Sequence, residues 1–214
     1  MKRSRILLGD DHVLILDGFR SLLEREHEIV GEATDGRSLV ETAVRLKPDL
    51  VILDITMPLL NGIEAARQIK KELPRMKLVF VTMHANPMFL REAAAVGASG
   101  FVLKSSARKD LLLAVDRVLD GQAYVTPGFG GEATDLLPRH RELPLPAFRG
   151  LTAREREVLQ LIAEGRSVKE MATILGVSVK TIAFHKLNIK DKLGIRTTAE
   201  LTKEAIREGL TGEN

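Results

Sequence analysis

Four apolar runs in the first half of this chain each end on a side chain able to do chemistry. Ile6-Leu7-Leu8 leads to Asp10-Asp11, Leu50-Val51-Ile52-Leu53 to Asp54, Leu78-Val79-Phe80-Val81 to Thr82, and Phe101-Val102-Leu103 to Lys104. Three carboxylates, a hydroxyl and an ammonium around one pocket suit a hard divalent cation and a phosphoryl group, with Asp54 in the middle as acceptor. Each residue alone has a plainer reading: Asp11 before a helix is a cap, Thr82 a strand residue, Lys104 a solvated charge. Their recurrence at equivalent places argues for a single site.

Such a site needs a scaffold that gathers the ends of these runs. Short apolar runs alternating with helix-period segments read as parallel strands of an α/β domain, whose ligands bind outside the carboxyl ends of the strands. Strands are expected over residues 5–9, 28–33, 50–53, 77–81 and 100–103, and helices over 13–25, 36–46, 62–72, 87–96 and 107–119. Pro48, Pro74 and Gly97 fall between elements, as breakers should. The next stretch carries Pro127, Pro138, Pro144, Pro146 and the pair Gly130-Gly131 with no sustained period. It reads as a linker over 122–149, dividing a first domain, 1–121, from a second, 150–214.

The second domain has a purely helical pattern. Thr152-x-x-Glu155, Ser167-x-x-Glu170 and Thr197-x-x-Glu200 spell capping boxes, and Gly165, Gly176 and Gly209 sit where helices should stop. The helices expected over 168–175 and 179–193 are joined by Gly176-Val177-Ser178, a length and composition suited to a helix-turn-helix. The second of these would enter the DNA major groove. On a helical wheel Ile182, Ile189 and Leu193 fall on the core side and Lys180, Ala183, Phe184, Leu187 and Asp191 outward.

Composition narrows the alternatives. The 214 residues suffice for two small domains with cores of their own, and the absence of cysteine excludes disulfide frameworks and thiolate zinc sites. The basic start Met1-Lys2-Arg3-Ser4-Arg5 is followed by too short an apolar run for a signal peptide or membrane span, so a cytoplasmic protein with no membrane partner is expected. The net charge of +3 is spread thinly, with 11 basic against 9 acidic residues from Gly150 onward. Any case for nucleic-acid binding therefore rests on where the lysines lie.

Taken in order, these residues resemble a known family. Ile6-Leu7-Leu8-Gly9-Asp10-Asp11-His12, Leu53-Asp54-Ile55-Thr56-Met57-Pro58 with Asn61-Gly62, Val81-Thr82-Met83-His84 and Gly97-Ala98-Ser99-Gly100-Phe101-Val102-Leu103-Lys104 resemble a receiver domain. Leu151-Thr152-Ala153-Arg154-Glu155-Arg156-Glu157-Val158-Leu159, Lys169-Glu170-Met171-Ala172, Ser178-Val179-Lys180-Thr181-Ile182 and Lys192-Leu193-Gly194 resemble a LuxR-type helix-turn-helix domain. Together they are similar to response regulators of the NarL/FixJ class, and the likeness covers nearly everything outside the linker.

The resemblance implies a flavodoxin-like, doubly wound five-stranded parallel sheet in the order 2-1-3-4-5, followed by an all-α domain. It implies a two-component transcription regulator in which Asp54 accepts a phosphoryl group from a sensor histidine kinase. Magnesium would bind Asp10, Asp11, Asp54 and the carbonyl of Thr56, Lys104 and Thr82 would hold phosphoryl oxygens, and Phe101 would turn inward as a switch. A homodimer is implied for the active form, with residues 84–119 as a dimer or inhibitory face. Double-stranded DNA would meet Ala183, Phe184 and Leu187 at base edges and Lys180, Thr181, His185, Lys186, Asn188 and Lys190 nearer the phosphates.

Departures from the family pattern are specific. Phe101 lacks the hydroxyl of the tyrosine often found there, Ser105 follows Lys104 where many receivers have proline, and the presumed reading surface holds three apolar residues. Apolar side chains touch thymine methyls but cannot make the bidentate hydrogen bonds that discriminate guanine, so modest sequence discrimination is expected. Two alternatives are weighed. One is an aspartate-nucleophile hydrolase, disfavoured because Thr56 stands where such enzymes need a second aspartate; the chain is expected not to be an enzyme, beyond slow loss of its own phosphoryl group. The other is a phosphorylation-independent transcription factor whose receiver serves only to dimerise.

Overall fold

The structure, a computed structural model, describes residues 3–83, 85–127, 150–207 and 209–211. His84 and most of the expected linker, residues 128–149, lie outside that range. In the first domain, strands β1 (Arg5–Gly9), β2 (Glu28–Ala33), β3 (Leu50–Leu53), β4 (Lys77–Thr82) and β5 (Gly100–Leu103) alternate with helices α1 (Val13–Leu23), α2 (Gly36–Leu46), α3 (Gly62–Glu72), α4 (Pro87–Val96) and α5 (Ala107–Leu119). α1 stops at Leu23, its last buried side chain, two residues short of the expected end. Glu24 and Arg25 are exposed.

All pairings are parallel, and the order is β2-β1-β3-β4-β5-β6. The sixth strand, β6 (Tyr124–Val125), extends the expected five and lies in the stretch read as linker. Two residues are too few to show a period, yet Tyr124 and Val125 pair with Gly100 and Phe101, and both are buried.

Because both faces of the sheet are covered, its central strands read as unbroken apolar runs rather than alternating ones. Leu7, Val51, Leu53, Leu78, Phe80 and Phe101 face α2, α3 and α4, whereas Ile6, Leu8, Leu50, Ile52, Val79 and Val102 face α1 and α5. Register aligns the carboxyl ends: Gly9 pairs with Leu53, Leu53 with Phe80, and Thr82 with Leu103. Backbone bonds then tie the residues just beyond, Asp54 N–H donating to Gly9 O and Lys104 N–H to Thr82 O, each at 2.8 Å.

The second domain comprises α6 (Ala153–Ala163), α7 (Val168–Leu175), α8 (Val179–Leu193) and α9 (Thr198–Arg207). The capping boxes form as spelled at Thr152, Ser167 and Thr197, and α7 and α8 end on left-handed Gly176 and Gly194. A separate core of Leu151, Val158, Leu159, Leu161, Met171, Ile182, Ile189 and Leu201 holds the four helices together.

Gly62 opens α3 directly behind Asp54, its N–H donating to Ile55 O at 2.7 Å. A Cβ there would collide with the Asp54 carbonyl oxygen, which is backbone and cannot yield cheaply. Gly62→Ala should therefore destabilise the chain by about 3 kcal/mol, the upper range for overpacking. Urea denaturation read by circular dichroism checks this, and an unchanged midpoint would contradict the packing described.

Candidate functional site

The sheet brings Asp10, Asp54, Thr82 and Lys104 to one edge, where all but Lys104 are buried as whole residues and the Lys104 side chain is almost covered. Lys104 Nζ lies 2.7 Å from Asp10 Oδ2 and 2.7 Å from Asp54 Oδ2, so one ammonium bridges two carboxylates. Asp54 Oδ1 accepts the Ile55 N–H at 2.6 Å, and Asp10 Oδ1 accepts the His12 N–H at 3.0 Å. Burial pushes the Asp54 carboxyl above its ordinary range, against the partly compensating pull of Lys104. Burial also disfavours the charged form of Lys104, but Asp54 and Asp10 outweigh it and the ammonium is held more firmly than in water.

The buried carboxylate oxygens are not all satisfied. Asp10 Oδ2 and Asp11 Oδ1 make no well-directed hydrogen bond, although Lys104 Nζ and His12 Nδ1 are close, at 2.7 Å and 2.8 Å. Carboxylate oxygens on adjacent residues fit a hard divalent cation, and Asp10, Asp11 and His12 place one ligand atom each within 4.8 Å of one another. His12 is 65% exposed and leans over Asp11. Asp11 itself caps nothing: the N-cap of α1 is His12, and it makes no side-chain cap bond. Phe101, expected to turn inward, is fully buried, its ring centroid 6.5 Å from that of Phe80. The Lys104-Ser105 bond is trans.

In the helix-turn-helix, Ile182 and Ile189 are buried, as the wheel requires, and Leu193 packs against the same core. Lys180, Ala183, Phe184 and Leu187 are exposed, Phe184 at 60% and Leu187 at 58%, so neither aromatic nor leucine packs on the receiver. Thr181, His185, Lys186, Asn188 and Lys190 are half-buried at its margins. Thr181 Oγ1 lies 2.8 Å from Ser178 Oγ, and Lys190 Nζ donates to Arg196 O at 2.8 Å. The reading face is thus open to solvent, with Lys180 at its start and an apolar middle.

A third set of residues was not foreseen from the sequence. The loop following Asp54 is covered by α6 of the second domain. Gln160, fully buried, donates from Nε2 to Met57 O at 2.8 Å and accepts the Asn61 N–H through Oε1 at 2.8 Å. Glu164 accepts the Leu59 N–H at 3.0 Å. Leu59 holds a left-handed φ of 63°, unusual for a branched residue, and its side chain packs against the core of the second domain. Around this loop Arg37 pairs with Glu157 at 2.9 Å, Gln68 donates to Glu157 at 3.1 Å, and Arg156 pairs with Glu64 at 2.7 Å. Glu157, Gln160 and Glu164 form a polar stripe at helical spacing, which in a sequence reads as a solvated face.

Comparison with known proteins agrees with both halves of the chain. Residues 6–116 match the response regulator receiver domain family, and residues 149–205 match the bacterial regulatory proteins of the luxR family. The transcriptional regulatory protein MctR of Rhizobium johnstonii is 36% identical, over 98% of this chain and 96% of its own length. The oxygen regulatory protein NreC of Staphylococcus aureus is 33% identical, over 96% of this chain and 98% of its own length. Among solved structures, the RcsB response regulator of Salmonella typhimurium aligns over 95% of this chain and 96% of that one at 30% identity, with a TM-score of 0.63. A complex of RcsB with DNA aligns over 95% and 98% at 30% identity and a TM-score of 0.55. With the acidic pocket at the carboxyl edge of one domain and an exposed reading helix in the other, the chain belongs to the response regulators that join a receiver domain to a LuxR-type DNA-binding domain and regulate transcription.

Proposed function

We propose that Asp54 accepts a phosphoryl group from the phosphohistidine of a sensor kinase and that this occupancy controls DNA binding through α8. The observation that carries the reading is the buried pair Asp10 and Asp54 bridged by Lys104, with the Asp11 carboxylate next to them. An Asp54 carboxylate oxygen attacks phosphorus, the P–N bond breaks, and its electron pair stays with the imidazole, which takes up a proton. Lys104 then turns from Asp10 to a phosphoryl oxygen as a point charge, and the buried Thr82 hydroxyl serves another. Asp10, Asp11, Asp54 and the Thr56 carbonyl would hold magnesium, which when bound supplies the charge neutralisation that lets two anions approach in line. The chain itself is the acceptor and turns over no external substrate beyond slow loss of its own phosphoryl group.

For output, Lys180 and the lysines beside it supply phosphate contacts while Ala183, Phe184 and Leu187 meet the groove. Affinity in that arrangement comes from phosphate neutralisation and pairing of two copies more than from hydrogen-bonded base readout. The RcsB–DNA complex and the two RcsB dimers on parallel DNAs are precedents in related proteins. No helix among the described residues is long and apolar enough to cross a membrane.

Three outcomes test this reading. Asp54→Asn should abolish labelling by acetyl phosphate, followed as an intact-mass increase or a gel shift, and labelling at the normal rate would overturn the assignment. Magnesium at ten times its Kd should stabilise the chain by about 1.4 kcal/mol through mass action, and Asp11→Asn should remove most of that shift in thermal melts. Lys180→Ala should weaken binding about equally to all duplexes and lower the salt slope by about 1, measured by fluorescence anisotropy across a potassium chloride series.

A further inference from the structure

At the amino end of the sheet, opposite the phosphoryl pocket, stands a second group of side chains that takes no part in phosphoryl transfer. His27 closes the turn between α1 and β2, its N–H donating to Leu23 O at 2.9 Å. The residue is 7% exposed, and its Nε2 is buried without a hydrogen-bond partner. A buried polar atom in that condition is uncommon and calls for a partner. Asp116 of α5, the helix packed against α1, presents Oδ1 3.9 Å from that nitrogen. Glu26, exposed beside His27 in the turn, completes a set in which one ligand atom from each residue lies within 4.8 Å of the other two.

Plainer readings of this geometry fit poorly. The 3.9 Å separation is too long for a direct hydrogen bond. It is also shorter than the roughly 4.6 Å spanned by a water making two hydrogen bonds of about 2.8 Å at a tetrahedral angle. Nor do neighbouring cations answer the two carboxylates. Arg3 donates to the carbonyls of Glu24 and His27, Arg20 is taken by Glu24 and Glu32, and Arg117 lies over the Tyr124 ring. Among the described residues no lysine or arginine pairs with Glu26 or Asp116.

We infer that Glu26, His27 and Asp116 bind a divalent transition-metal cation of the zinc type, with water in the remaining position. The nitrogen sets this site apart from the carboxylate pocket: imidazole suits zinc, nickel and copper, whereas magnesium takes oxygen ligands. Zinc–ligand bonds of about 2.0–2.1 Å place two tetrahedral ligands about 3.4 Å apart, so the exposed Asp116 carboxylate needs to approach His27 by only about 0.5 Å. The buried imidazole stays where the turn holds it. Once bound, the ion ties the turn before β2 to the last helix of the receiver, across the face where α1 and α5 pack. The ligands stand on elements far apart in the chain, so no spacing motif announces them.

The test titrates zinc chloride into the full chain in excess magnesium chloride, followed by calorimetry and by the imidazole nitrogen resonances in NMR. Asp11→Asn in every sample weakens the phosphoryl pocket as a competitor for zinc. Zinc should move the His27 Nε2 resonance to saturation at one ion per chain, and magnesium alone should leave it in place. Asp116→Ala and Glu26→Ala should each weaken zinc binding about 10-fold or more, since even partners one shell further out are worth that much. Both positions are exposed, so the metal-free melting midpoint should hold and a lower affinity then reads as a lost ligand. A His27 resonance that zinc leaves unmoved overturns the inference, as does one that magnesium moves equally. Undiminished zinc affinity in either alanine variant also overturns it.

Discussion

One ammonium between two buried carboxylates sets the terms for the rest of this molecule. Asp10, Asp54 and the Lys104 side chain are almost wholly removed from water, and such charges persist there only when paired. Two carboxylates against one ammonium still leave a net negative charge, to which Asp11 adds another at the rim. A pocket in that condition has a standing preference for further positive charge, and Asp10 and Asp11 are the carboxylates placed to receive it. The sheet exists, in functional terms, to hold that imbalance in place: the backbone bonds from Asp54 to Gly9 and from Lys104 to Thr82 tie the end of β3 to that of β1 and the end of β5 to that of β4.

The same economy explains how a charge at one end of a sheet can be felt by a helix bundle. The loop from Ile55 to Asn61 is neither strand nor helix and satisfies only part of its backbone within the receiver, and three of its polar groups turn to Gln160 and Glu164. A buried backbone group without a partner costs about 1–3 kcal/mol, so the loop and α6 have a shared interest in one conformation. The ion pairs around it, Arg37 with Glu157 and Arg156 with Glu64, fix the orientation of the helix on the receiver. Nothing in this contact reaches α8. Input and output are joined through the back of the DNA-binding domain, with the reading face left to the solvent.

Much of this was legible in the sequence, and the parts that were not failed for physical reasons. Apolar runs ending at Asp10, Asp54, Thr82 and Lys104 announced both the strands and their convergence, because a parallel sheet covered on both faces has no polar alternation to confuse the signal. Hydroxyl-to-carboxylate spacing at Thr152, Ser167 and Thr197 announced helix starts through local bonding alone. β6 escaped because two residues carry no period, and Tyr124 and Val125 gain their place only from the neighbouring Gly100 and Phe101. The α6 contact was invisible because Glu157, Gln160 and Glu164 on a helix look like a solvated stripe; only partners 89 to 105 residues away turn them into an interface.

The most direct test of this account is the amide exchange of Leu59 and Asn61, whose N–H groups donate to Glu164 and Gln160. NMR would compare the full chain with the same chain carrying Gln160→Ala and Glu164→Ala. Both amides should exchange slowly in the first and faster in the second, while the strand amides of Ile52 and Leu53 keep their protection in both. Fast exchange at Leu59 and Asn61 in the unsubstituted chain would contradict the joining of receiver and DNA-binding domain described here.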